Sequence, residues 1–102
     1  MNPAMLNKLK KMQKEMMDAQ QKLEEAIFTG SAGGGMVVCE VRGSKEVVSV
    51  KIAEDAIESK EDLEMLQDTI VAALNDAMKK IDTETNDTMR QFTGGFGGFG
   101  GF

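Results

Sequence analysis

The stretch Thr29-Gly30-Ser31-Ala32-Gly33-Gly34-Gly35-Met36 divides the chain between two incompatible periodicities. Before it, apolar residues recur every three or four positions. After it they alternate, in Met36-Val37-Val38-Cys39-Glu40-Val41. A helix needs the first period and a half-buried strand the second, so the glycines mark a change of element. Glycines ahead of a helix can also cradle phosphate, but a P-loop follows its last glycine with Lys-Ser/Thr and a helix. Here a β-branched run follows, and a G-x-G-x-x-G fingerprint fails on spacing as well. The better reading is a bulged edge or a turn between strands.

Upstream, Met5, Leu9, Met12, Met16, Ala19, Leu23 and Ala26 form an a/d seam, with Leu9, Met16 and Leu23 at a. Pro3 suits the start of this helix, and the period changes near Ile27. Ala19 and Ala26 allow close approach, and the methionines give an adaptable surface. Downstream, Val37, Cys39 and Val41 share one face of a strand. Gly43-Ser44 predicts a hairpin turn, and Val48, Val50 and Ile52 share a face of the returning strand. A shorter strand over Ile27–Ala32 would pair with the first hairpin strand. The second helix is expected from Ser59, with Asp62 in the capping-box position. Leu63, Leu66, Ile70, Leu74, Ala77, Ile81, Thr88 and Phe92 follow a 3.6-residue period, and Thr93-Gly94-Gly95 ends it.

Two of these segments carry a resemblance. Thr29–Met36, followed by Val71-Ala72-Ala73-Leu74-Asn75-Asp76-Ala77, resembles the YbaB/EbfC family of small bacterial nucleoid-associated proteins, over about residues 4–92. The resemblance implies an α+β subunit of α-β-β-β-α order, a tweezer-shaped homodimer, and DNA binding without catalysis. Residues 1–93 are then one domain. Gly94–Phe102, built of Gly-Gly-Phe repeats, departs from the usual family end and reads as a disordered tail.

Lengths support a similar shape independently. At about 1.5 Å per residue, helices over 4–26 and 60–92 span roughly 35 and 50 Å. Strands of about seven residues cover only about 23 Å, so both helices must overhang the three-stranded antiparallel sheet. If antiparallel, they form a two-helix arm with an apolar seam. A chain this small buries only about 60–65% of its unfolded surface. With five Phe, no Trp and no Tyr, it would gain from a second copy docked on the sheet.

The residue inventory argues against catalysis. There is no histidine, so no Ser-His, Cys-His or His-metal arrangement can be assembled. Cys39, the only cysteine, alternates with valines and reads as a buried apolar thiol. Glu61, Asp62 and Glu64 suit a helix N-terminus, and the segment 54–68 lacks calcium-loop spacing. No enzyme activity, cofactor or metal is expected. Met1–Met12 lacks the apolar core of a signal peptide, and the lone thiol suits a reducing cytosol. The expected location is cytoplasmic, on the nucleoid.

The net charge of −5 disfavours a general polyanion binder, but the charge is segregated. Lys8, Lys10, Lys11 and Lys14 lie in a segment with no acid before Glu15, whereas residues 54–68 hold seven acids and one lysine. Lys10, Lys11 and Lys14 fall on the outer heptad face and Lys8 flanks the seam. In an antiparallel arm Arg90 lies near the same tip, with Lys79 and Lys80 further in. Pairs such as Lys11–Glu15 and Lys14–Asp18 offer a plainer explanation, a solvated face. Two function classes compete. One is a homodimer gripping double-stranded DNA through phosphate contacts by Lys8, Lys10, Lys11, Lys14, Lys79, Lys80 and Arg90, with little sequence specificity. The other is an adaptor whose Met-rich arms hold an unidentified protein partner.

Overall fold

Residues 2–93 are described by a computed structural model. The element order is α1 (Pro3–Glu25), β1 (Ile27–Ala32), β2 (Val37–Arg42), β3 (Val47–Ile52) and α2 (Asp62–Thr93). The sheet is antiparallel in the order β1-β2-β3. This is the expected α-β-β-β-α fold. The tail assigned to 94–102 lies outside the described residues.

Each boundary has a local cause. Asn2 caps α1 by accepting the Met5 amide on Oδ1 at 2.7 Å, with Pro3 in the first turn. The helix ends at Glu25, two residues earlier than the period change suggests, because Ile27 already pairs with Arg42 in the sheet. The glycines make the β1–β2 turn, where Gly33, Gly34 and Gly35 all have positive φ, from 65° to 92°. Three successive left-handed residues exclude ordinary side chains, which accounts for the glycine run. The β2–β3 turn places the positive φ at Lys45 rather than at Gly43. A bulge next to Glu40/Val41 then leaves Val48 without a direct partner.

The second helix starts later than expected. Asp62 Oδ2 accepts the amides of Glu58 and Ser59 at 2.9 and 3.1 Å, which is the carboxylate half of the expected capping box. The Asp62 amide itself bonds the Ser59 carbonyl at 3.1 Å, so regular helix begins at Asp62.

The core lies between α2 and the β1–β2 half of the sheet: Val37, Cys39, Val41, Ala56, Leu66, Ala73, Ala77 and Ile81. Close approach depends on small residues. A Cβ on Gly30 would run into the Ala73 carbonyl oxygen and sit 2.6 Å from the Ala77 nitrogen. Cys39 is buried and its thiol donates to the Ala73 carbonyl at 3.2 Å. It is the apolar core thiol that the alternation suggested.

Because α2 covers β1 and β2, β3 is left open. Val47, Val48, Val50 and Ile52 are all 40–46% exposed, although Val50 and Ile52 pair directly with buried Cys39 and Val37. The two outer edges of the sheet differ in a second way. On β1, Asp76 Oδ2 accepts the Ser31 amide at 3.0 Å and Lys80 Nζ donates to the Thr29 carbonyl at 2.8 Å. Two side chains one helical turn apart thus occupy one amide and one carbonyl of the edge that a further strand would use.

Candidate nucleic-acid interface

The helices are antiparallel, with Leu23 beside Ile81 and Thr85, and Gln20 Nε2 3.9 Å from Met89 Sδ. This register sets Thr93 level with about Met16. The N-terminal half of α1 therefore runs past the last described turn of α2 by roughly 20 Å. The result is an elongated molecule of 70 × 27 × 15 Å.

Lys8, Lys10, Lys11 and Lys14 all lie on this overhang and are all exposed. The ion pairs among the described residues are Arg42–Glu46, Lys45–Asp82, Lys80–Asp76 and Arg90–Asp87. None involves the four arm lysines. The pairs Lys11–Glu15 and Lys14–Asp18 are not formed, and all four side chains are exposed to solvent. The opposite end of the molecule carries the acidic block, in the loop after β3 and the first turns of α2. Asp55 there lines a surface hollow with the Gly33–Gly35 turn, at the far end of the sheet from the β2–β3 turn that contacts α1.

The other three cations are not gathered at the tip. Arg90 is level with Ala19, about 8 Å short of Lys14 along the arm, and its guanidinium lies 3.5 Å from Asp87. Lys79 and Lys80 sit at the β1 edge with Phe28 and Asp76. Lys80 is committed there, to the Thr29 carbonyl and to Asp76 at 3.4 Å. The Ser31 amide, and secondarily Lys80, holds the Asp76 carboxyl below its ordinary pKa of 3.8 against some desolvation. Sequence reasoning placed Lys80 among the DNA contacts and did not connect it with Asp76. The only visible signal of the pair was its place beside the Asn75-Asp76-Ala77 segment already singled out.

One face of the overhang is apolar and open. Met5, Leu6 and Leu9 are 55, 44 and 43% exposed, and no residue of α1 is fully buried. Among the described residues no group of three or more His, Cys, Asp or Glu side chains is arranged to hold a metal ion. No helix among them is long and apolar enough to cross a membrane.

A three-stranded antiparallel sheet backed by one long helix, with a second helix carried outward and bearing exposed lysines, defines a class of small α+β proteins. Residues 1–96 match the model of the YbaB/EbfC DNA-binding family, and the chain belongs to that family. It is 48% identical over 94 residues to a nucleoid-associated protein of Oceanobacillus iheyensis, covering 89% of each chain. It is 43% identical over 94 residues to one of Agathobacter rectalis, covering 92% of this chain and 82% of the relative. Among solved structures, an uncharacterized protein of Helicobacter pylori superposes with a TM-score of 0.70 at 29% identity, over 89% of this chain and 96% of that one.

Proposed function

We propose that this chain is a non-enzymatic, nucleoid-associated DNA-binding protein that acts as a homodimer. In this reading Lys8, Lys10, Lys11 and Lys14 of both subunits contact phosphates of one duplex, with Arg90 behind them. Lys79 contributes from the base of the arm, where Lys80 is largely engaged. The observation that carries the reading is the set of four exposed lysines, without ion pairs among the described residues, on an arm that projects away from the acidic end. Family membership and the names of the relatives support it. Point-charge contacts to phosphate position a protein without reading bases, so little sequence preference is expected. The open β3 edge and its exposed valines supply a surface for the second copy.

A titration of duplex DNA at several salt concentrations tests this. Each phosphate neutralised adds about 0.9 to the log–log slope. Replacing Lys10 and Lys11 together by Gln should weaken binding equally across sequences and flatten that slope, with the assembly state unchanged. Replacing Lys45 and Lys51 should do much less. Equal losses from both pairs would move the DNA to the sheet, and no loss from either would refute the arm as the contact surface.

A further inference from the structure

The outer half of α1 carries an apolar face that phosphate contacts do not use. Met5, Leu6 and Leu9 are exposed there, and Met12 beside them is half-buried. The face lies on the side of α1 that α2 covers lower down, where Leu23 sits beside Ile81. The described part of α2 ends level with about Met16, so Met5 stands about 16 Å beyond it. Thioether and leucine side chains gain nothing from a phosphate backbone, and the lysines around them would bind it without their help.

Helical geometry sets the lysines around that face. At about 100° per residue, Met5, Leu9 and Leu6 span an arc of about 100° with Leu9 inside it. Lys8 and Lys10 each lie about 100° from Leu9, one on either side. Lys11 and Lys14 fall on the opposite face, and all four are exposed. The first acid of the chain is Glu15, so no carboxylate interrupts the stretch. Such a helix suits a lipid headgroup layer: its apolar side chains enter the acyl boundary while flanking lysines reach back to anionic headgroups along their aliphatic stems. A protein helix would find only one wall to pack on, whereas a fluid bilayer needs neither a second wall nor matched side chains. The acidic block stands at the other end of the molecule, well beyond a screening length of about 8 Å.

We propose that the outer tip of α1 is a reversible attachment site for anionic phospholipid surfaces, with Met5, Leu6 and Leu9 inserted and Lys8 and Lys10 on the headgroups. Three apolar side chains alone give only marginal attachment, and the lysines supply the second, electrostatic signal. Because α2 stands on the same side of α1 below Met16, the arm enters tip first, with Met5 and Leu6 deepest. The site goes beyond the proposed DNA binding and does not rest on it. Duplex and lipid share lysines, but only lipid uses the apolar face, so the two activities are separable by substitution.

Co-sedimentation of the full chain with vesicles tests the site. The probes are vesicles of phosphatidylglycerol mixed equally with phosphatidylcholine, and vesicles of phosphatidylcholine alone. The expected result is partition onto the anionic vesicles about tenfold or more stronger than onto the neutral ones, weakening with salt. Leu6→Gln and Leu9→Gln together should lower that partition about tenfold or more, while the thermal melt and the affinity for duplex DNA stay as in the parent. If this variant bound anionic vesicles as tightly as the parent, the attraction would be one of charge alone and the proposal overturned. Equal partition onto both kinds of vesicle would overturn it as well. So would a lack of partition at low salt, which would leave the face to an acidic helix of a protein partner. A doxyl-labelled lipid in the anionic vesicles, with 13C-methyl methionine in the chain, reads the orientation. Met5 should lose the most methyl intensity, and Met36 and Met65, at the far end, the least. Sparing of Met5, or equal loss at all three, would contradict insertion of the tip.

Discussion

Gly30 shows how one residue can set the distance between layers. Its φ is unremarkable; what the position excludes is a side chain, because α2 crosses with its own backbone at Ala73 and Ala77. Gly30→Ala should therefore cost about 1–3 kcal/mol at least, an overpacking penalty that the rigid helix backbone cannot relieve. Urea unfolding against the parent chain measures it. Ile81, 1% exposed, is the complementary case: Ile81→Ala should cost about 2–5 kcal/mol through the cavity it leaves. Asp76 makes a pH-dependent contribution. Its folded pKa is depressed, chiefly by the Ser31 amide, so the stability it adds is present above the ordinary carboxylate pKa of 3.8. That contribution is lost as the pH falls through the lower folded value. Asp76→Asn should thus be less stable than the parent near neutrality, and the gap should close in strong acid. A constant gap across thermal melts at both extremes would assign the loss to packing.

At the scale of elements, β2 and β3 differ in burial although both alternate. Val37, Cys39 and Val41 were legible as one face because α2 covers that face completely. Val48, Val50 and Ile52 read the same way and yet are open, since strand periodicity reports a preferred face and not whether anything covers it. Val50→Lys should therefore cost the subunit little, while shifting any β3-mediated dimer toward monomer in sedimentation equilibrium. The α1 seam was legible over its whole length, but its outer half has no described partner. Leu63 was counted into the α2 stripe and is 49% exposed, whereas Ala73 was missed and is fully buried. A short side chain carries little pattern signal, yet it fits where helix and strand come closest. The arm lysines were legible as a cluster. That Arg90 stops short of them was not, because it depends on the offset between helices rather than on their lengths.

For the whole molecule, the distance between the basic arm and the acidic end matters more than the net charge. At about 8 Å of screening length in physiological salt, charges tens of ångströms apart scarcely interact. A negatively charged protein can therefore carry a locally cationic tip. The folded unit is expected to be a homodimer at micromolar concentration, and a stable folded monomer in sedimentation equilibrium would count against it. Deleting Gly94–Phe102 should leave both the thermal melt and the assembly state intact, since the core and the β3 surface lie elsewhere. The clamp of Asp76 and Lys80 on β1 has a consequence for stoichiometry. A sheet with two available edges can add copies at both ends and grow into a filament. With part of the β1 edge taken up by its own helix, β3 is the more available edge, and β3-to-β3 pairing around a two-fold axis would use it up in both copies of the proposed homodimer. In the proposed homodimer, growth would then terminate at two, and the Asp76–Lys80 pair would set the number of arms available to one target.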